Sequence, residues 1–455
     1  YKLSYGGDTD STSSEKRKNT DVSQIRVEAS VYGKPSSSQQ WRVKSYFYQS
    51  SRGLPGATTY YYDYSSQHLW DKNFFTQAHY KNEINDFWVI QALGKWNWSY
   101  QRYLDPDYKG STGKNEEKYY QTEYYISTSA LYRAFKQLSF SMALDGSINT
   151  LNSPSAKHVS PTRYTLLPVV AAKFVSNPII ISASLLGTIT KDKVKNENNR
   201  FNYQRLNPQL NIAFKPFLKE EFRLRFFYKD IFRLPTFNDL YYGQIGNRDL
   251  NPEKSKQFNL GLTYSKKINE YIPNVSFTAD AYYNKVTDKI IAVPTKNLFV
   301  WSIVNLGKVD IKGVDLSATI STQTLQSFGL HLTAKYTYQR SLDVTDKASK
   351  TYKHQIAYTP RTSGSGQATI TTPWINITYS LLYSGKRYVL GQNSAKNKLL
   401  AYREHNLTFY RDFAIKKIDL FAKLEILNLA NENYEVIKNF PMPGRSIRAT
   451  LKIRY

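Results

Sequence analysis

The chain has no cysteine. A disulfide framework, a thiolate metal site and a cysteine nucleophile are therefore excluded. It also lacks an unbroken apolar run of about 18 residues, the length a membrane-crossing helix requires. Its richest stretches, Leu166–Ala172 and Ile179–Ile189, are interrupted by Pro168, Ser182, Ser184 and Gly187. Histidine is scarce, and His68, His79, His158, His331, His354 and His405 stand singly, without zinc-site spacing. No GxSxG nucleophile elbow occurs. No repeat of about 40–50 residues recurs, which argues against a propeller. Acidic residues are few, 36 against 62 Lys and Arg, leaving the 455 residues with a formal charge of +26. No nucleic-acid reading module accompanies that charge, which is spread over many segments; the simpler reading is solvated loops and a polar interior.

What is abundant is aromatic residues, 15% of the chain, and alternation with a period of two. In Glu221–Lys229, Phe222, Leu224, Phe226 and Tyr228 oppose Glu221, Arg223, Arg225 and Lys229. Ile375–Tyr383, Ile418–Ile426 and Ser446–Tyr455 repeat the pattern, which is that of strands with one apolar face. The connections alternate too. Tight ones near Lys34–Gln40, Asn82–Asp86, Phe135–Gln137, Ser176–Pro178, Pro216–Lys219, Lys267–Tyr271, Thr322–Ser327, Thr371–Pro373 and Phe413–Lys416 are separated by long polar ones. A soluble sandwich has no reason to keep that rhythm. An outer-membrane barrel does, with short periplasmic turns and long extracellular loops. The fold class expected is all-β, a transmembrane antiparallel up-and-down β-barrel occupying residues 1–455. The count is 19 complete strands plus a stub at Tyr1–Tyr5, about 20 in all. The chain opens mid-alternation and without Met, so the expectation is a barrel domain that begins inside a structural element. Restoring two strands ahead of the stub gives 22, the number known for plugged outer-membrane transporters.

The segment Phe232-Arg233-Leu234-Pro235-Thr236-Phe237-Asn238-Asp239-Leu240-Tyr241-Tyr242 is followed by Gly246-Asn247-Arg248-Asp249-Leu250-Asn251-Pro252-Glu253. This pair resembles the boxes flanking one extracellular loop in TonB-dependent outer-membrane receptors. Asn428–Glu435 with Pro441–Ser446, and Arg52–Gly56, resemble the cobalamin-receptor-like members found in Bacteroidota. Leu234 stands where Ala is common in that family, and Arg248 where Pro is usual. The resemblance implies a receptor that binds a scarce nutrient in its outer loops and imports it with TonB-derived energy, without catalysing a reaction. It implies an N-terminal plug and TonB box outside this sequence, through which the TonB complex would engage. Other expected partners are outer-membrane lipid, lipopolysaccharide, a small nutrient ligand and a surface lipoprotein, with no nucleic acid. Cobalamin or a corrinoid is the first ligand expected, and an iron chelate, siderophore or haem, the alternative. Haem receptors of the family carry a His between the boxes, and Thr236–Ile245 has none. An outer-membrane enzyme barrel is a more distant alternative, since such barrels are far smaller.

Among individual residues, the boxes contribute Phe232, Arg233, Pro235, Asn247, Leu250, Pro252 and Glu253 in structural roles. Pro235 and Pro252 cannot donate to a ladder and so mark where pairing stops. Glu253 is suited to accept backbone N–H groups within the loop. Tyr60, Tyr61, Tyr62 and Tyr64, with Tyr241 and Tyr242 facing them across the mouth, are the candidate ligand contacts, because aromatic rings grip flat, partly apolar molecules. Most other Tyr and Trp residues, including Trp88, Trp96, Trp98 and Trp374, suit interfacial girdles. Asp8, Asp10, Asp21 and Asp63 are candidates for calcium, a hard cation that prefers oxygen, though their spacing matches no calcium loop. In the terminal strand, Ile447, Ala449, Leu451, Ile453 and Tyr455 should face lipid. Arg223, Arg225, Arg448 and Arg454 should then face the lumen, unpaired until an acidic plug meets them.

Overall fold

Alternating sequence becomes alternating structure in the computed structural model, which describes residues 2–4, 12–14, 16–58, 64–108, 113–154, 160–194, 202–243, 245–294, 301–323, 328–415 and 418–454. Among these, nineteen strands form one antiparallel ladder. They are β1 (Val22–Gly33), β2 (Gln39–Leu54), β3 (Gln67–Glu83), β4 (Trp88–Asp105), β5 (Asn115–Arg133) and β6 (Leu138–Asn152). Next come β7 (Thr162–Val175), β8 (Ile179–Lys193), β9 (Asn202–Phe214) and β10 (Glu221–Arg233), then the short helix α1 (Phe237–Tyr241). The wall continues through β11 (Glu253–Lys266), β12 (Asn274–Pro294), β13 (Trp301–Gln323), β14 (Gly329–Asp343) and β15 (Thr362–Thr371). It ends with β16 (Asn376–Ser384), β17 (Tyr402–Ile415), β18 (Ile418–Leu427) and β19 (Ser446–Arg454). Connections from odd-numbered strands are short and those from even-numbered strands are longer, except between β12 and β13, where the two strands extend far enough to leave only residues 295–300 between them.

Each strand pairs with its sequence neighbours, and the sheet curls into a barrel. The seam between β1 and β19 shows no paired residues, so it is open among the described residues. The stub does not join the ladder, contrary to expectation. Lys2–Ser4 pairs with Thr12–Ser14 in a separate two-stranded ladder. A partner so near in sequence costs less chain entropy to reach than a remote sheet edge. Tyr455 lies outside the described residues.

Apolar side chains point out of the wall. Leu224 and Phe226 are exposed, as are Ile447, Leu451 and Ile453. That inversion of the soluble pattern suits a wall surrounded by acyl chains. Arg223, Arg225 and Arg448 are paired within the wall, which corrects for these three the expectation that they wait for a plug. Arg225 reaches Asp280 at 2.8 Å, Arg448 reaches Glu425 at 2.7 Å, and Arg223 reaches Glu221 at 3.4 Å. The Arg225–Asp280 pair spans an intervening strand, over Gly261, which is in register with both residues. A Cβ on Gly261 would stand 2.2 Å from Asp280 Oδ1, so the glycine leaves room for the ion pair. Buried apolar clusters occur where outer loops meet strand ends, as with Val286, Val309 and Ile356.

The outer connection between β18 and β19 explains its asparagine-rich sequence. Asn428 is buried, accepts from Glu432 N at 2.9 Å, and donates to Glu432 O and Pro443 O. Asn431, at φ 54°, accepts from Arg445 N. Short polar side chains tolerate left-handed backbone and bond their own loop. Tyr434 stacks on Tyr402 and donates to Glu404. Burial, reinforced by that carboxylate, raises the Tyr434 phenol above its ordinary pKa.

Candidate functional site in the barrel mouth

The loop carrying the paired boxes, residues 234–252, folds into the barrel rather than away from it. Thr236 starts α1 as a capping box: its hydroxyl accepts from Asp239 N at 3.1 Å, and Asp239 accepts from Thr236 N at 2.9 Å. Capping satisfies backbone donors that a short helix otherwise leaves open. Phe237 packs with Tyr119 and Leu151, while Leu240 and Leu250 pack with Ile290 and Ile303. Asn247 donates to Ile303 O at 3.0 Å and accepts from Asp249 N, so it ties the second box to β13. Asn305 holds Asn251 by reciprocal bonds of 2.7 and 3.0 Å.

Glu253 does accept a backbone N–H, but from Ile290 of β12 at 2.9 Å rather than from its own loop. Arg233 and Lys289 lie 3.6 and 3.8 Å from the same carboxylate. Pro235 is fully buried, and its carbonyl accepts from Arg163 at 2.8 Å. Arg163 also grips Asp192 through two bonds of 2.7 Å and lies over the Phe237 ring. A bidentate guanidinium–carboxylate pair is the strong form of this interaction. Sequence reasoning missed Arg163 and Asp192. Each sits at a strand end with no motif to mark it, Arg163 alone and Asp192 between Lys191 and Lys193.

The inward loop bounds a cavity of about 530 Å³. Its apolar wall includes Leu54, Leu69, Tyr103, Tyr242, Trp301 and Ile303, and Gln67, Gln101, Asp105 and Glu117 supply polar groups. Tyr242 stacks face to face on Tyr119, with centroids 3.8 Å apart, and its hydroxyl accepts from Gln121 at 2.9 Å. Burial raises the Tyr242 phenol above its ordinary pKa, so it remains a neutral donor. Tyr119 donates to Glu117. A second cavity of about 670 Å³ adjoins the first, sharing Leu54, Gln67 and Asp105, and adds Tyr64, Asp107 and Phe440. Asn19 pins this rim by donating to Leu54 O, Ser65 O and Gln67 O. The arrangement suits a ligand with a broad apolar face and donor groups for the carboxylates.

Of the tyrosines singled out from sequence, Tyr242 lines the first cavity and Tyr64 the second, with Lys18 4.8 Å over the Tyr64 ring. Tyr241 turns into the loop core against Phe237 and away from both cavities. Tyr60, Tyr61 and Tyr62 lie outside the described residues. So do Asp8, Asp10 and Asp63, while the Asp21 carbonyl accepts from Gly53 N. Among the described residues no group of three or more His, Asp or Glu side chains is gathered for a metal ion. Neither cavity is lined by histidine.

Comparison with known proteins follows the same geometry. The family described as TonB dependent receptor-like, beta-barrel matches residues 3–429. A 95-residue stretch, 21% of this chain, is 35% identical to the Vitamin B12 transporter BtuB of Vibrio vulnificus, covering 14% of it. A longer one, 231 residues and 49% of the chain, is 25% identical to the Vitamin B12 transporter BtuB of Photobacterium profundum, covering 34%. The matched segments thus span about a third or less of those curated relatives. Among solved structures, the siderophore receptor PiuA from Acinetobacter baumannii superposes with a TM-score of 0.74 at 12% identity, over 96% of this chain and 75% of that one. Copper transporter OprC does so with 0.75 at 12%, over 95% and 72%. The ferric citrate transporter FecA gives 0.73 at 10%, over 96% and 70%. At such identities the likeness concerns the fold.

Proposed function

Because the chain belongs to the TonB-dependent receptor-like β-barrel family of the outer membrane, we propose that it forms the wall and mouth of an importer for a scarce nutrient. The nutrient binds in the two adjoining cavities and the loops above them, and TonB supplies the energy for passage. The observation that carries this reading is the inward box loop, which places Tyr242 beside Trp301, Asp105 and Glu117 in the mouth. No reacting group is needed for such a role. The wall and loop bind, orient and admit.

A corrinoid is the proposed ligand. The sequence relatives named above are vitamin B12 transporters, and two connected cavities with aromatic walls suit a wide, partly apolar ring bearing amide donors. Tyr60, Tyr61 and Tyr62 are proposed to contact it together with Tyr64. An iron chelate is the second reading, favoured by the fold neighbours that carry siderophores or ferric citrate. Growth of a deletion strain separates the two. A strain limited for cobalamin should fail to grow without this gene, while one limited for iron grows normally. The reverse pattern overturns the corrinoid reading in favour of the chelate.

A further inference from the structure

The chain's charge of +26 does not extend into the mouth. Neither cavity is lined by a lysine or an arginine. Asp105 and Glu117 line the first cavity instead, and Asp105 and Asp107 the second. Strand register explains the placement. Leu69, Tyr103 and Glu117 stand side by side on β3, β4 and β5, and Asp105 lies opposite Asn115 one row further out. Alternation sends Glu116 to the other face of β5, where Arg102 meets it at 2.8 Å.

The hydrogen-bond partners of these carboxylates are neutral. Glu117 accepts from the Tyr119 hydroxyl, and Asp105 accepts from Gln67 Nε2 at 3.2 Å and Asp107 N at 3.1 Å. Asp107 accepts from Ser66 N. Nearby cations are engaged elsewhere. Arg52 pairs with Asp71 at 2.7 Å, Arg17 donates to the Gly56 carbonyl and the Thr58 hydroxyl, and Lys18 lies over the Tyr64 ring. A Cβ on Gly243 would overlap the Glu117 carboxylate, so the end of the box loop leaves that carboxylate its space beside Tyr242. Leu54, Leu69, Trp301 and Ile303 form the apolar wall around it. Enclosed by such a wall, charges are screened less than in open water, and a negative ligand group meets strong repulsion.

We propose that the mouth selects its cargo by charge: Asp105 and Glu117 admit an electroneutral or cationic ligand that brings N–H donors and reject an anionic one. The inference rests on the mouth being the nutrient site and narrows what that site takes. A corrin ring edged with amides fits the rule. Among iron chelates, a cationic hydroxamate complex fits it, whereas citrate and catecholate complexes of net negative charge do not. Specificity of this kind comes from repulsion of the wrong ligand as much as from attraction of the right one.

The test is calorimetric titration of the full-length receptor with two pairs of probes. One is cyanocobalamin against its derivative with side-chain amides hydrolysed to carboxylates. The other is ferrioxamine B, a cationic ferric chelate, against ferric enterobactin, an anionic one. The wild type should prefer the uncharged or cationic member by on the order of tenfold, and added salt should shrink that preference. Asp105→Asn with Glu117→Gln keeps the shape of both side chains and an acceptor for Gln67 and Tyr119. It should bind the anionic member more tightly than the wild type does, a gain that loss of hydrogen bonds to amides cannot produce. Glu116→Gln, on the other face of β5, should leave the preference unchanged. Heat-modifiable gel migration shows that each variant is folded, and Asp105→Asn alone serves if the double variant is not. Equal binding of the two members by the wild type, or a preference that the folded variant retains, overturns charge selection while the mouth remains the binding site. Binding of chelates without corrinoids, the cationic chelate preferred, supports charge selection and overturns the corrinoid as ligand. Binding of neither pair overturns the mouth as the nutrient site and this inference with it.

Discussion

The box loop and the seam strands use the same kinds of residue to opposite effect. Leu240 and Leu250 in the loop are 1% and 2% exposed, whereas Ile447 and Leu451 in β19 are 72% and 65% exposed. The first pair is shielded by protein and the second by hydrocarbon. Exposure alone therefore does not tell a weak site from a strong one in a barrel wall; the surrounding solvent decides. It also shows where side-chain packing matters. The ladder holds the wall through backbone pairing, while the loop is held in the mouth mainly by side chains, with a backbone bond from Ile303 N to Ile245 O at 3.1 Å beside them.

The largest break in that contrast should come from Arg163→Ala. It strands Asp192, 1% exposed, without its cation and frees the Pro235 carbonyl, a loss of about 3–5 kcal/mol for a buried pair. Limited proteolysis of the full-length protein should then cut within 234–252, with the barrel still heat-modifiable. Leu240→Ala should cost about 2–5 kcal/mol of loop packing, read as the same cleavage at lower denaturant, whereas Leu451→Ala in lipid changes little. The wall has its own test: Leu451→Arg puts a charge against hydrocarbon at about 2–4 kcal/mol and should lower folded yield in outer membranes. Thr450→Arg should not, because Thr450 belongs to the opposite face. Equal yields would mean the two faces are reversed. Smallest is Thr236→Ala, which removes one cap of α1 at about 1 kcal/mol and should raise loop cleavage slightly.

The same contrast explains what could be read from sequence. Strand positions, turn positions and the outward face of β19 follow from alternation and connection length, both local properties. The two boxes were visible, but their roles were not. Asn247, Leu250 and Glu253 act through Ile303 and Ile290, more than 30 residues downstream. Arg163 and Asp192 had no signal because their meaning lies in a register pairing of β7 with β8 and in a carbonyl 72 positions from Arg163. Tyr241 and Tyr242 were indistinguishable in sequence, and only the turn after α1 sends one into the core and the other into the cavity.

The most direct test of the mouth as the binding site is calorimetric titration of cyanocobalamin into the full-length receptor, comparing wild type with Tyr242→Ala, Trp301→Ala and Tyr64→Ala. Each removed ring forfeits apolar contact worth about 25 cal/mol per Å². The expected result is a clear loss of affinity for Tyr242→Ala and Trp301→Ala and a smaller one for Tyr64→Ala, with all three barrels folded. Wild-type affinity in all three would contradict a ligand site in the mouth.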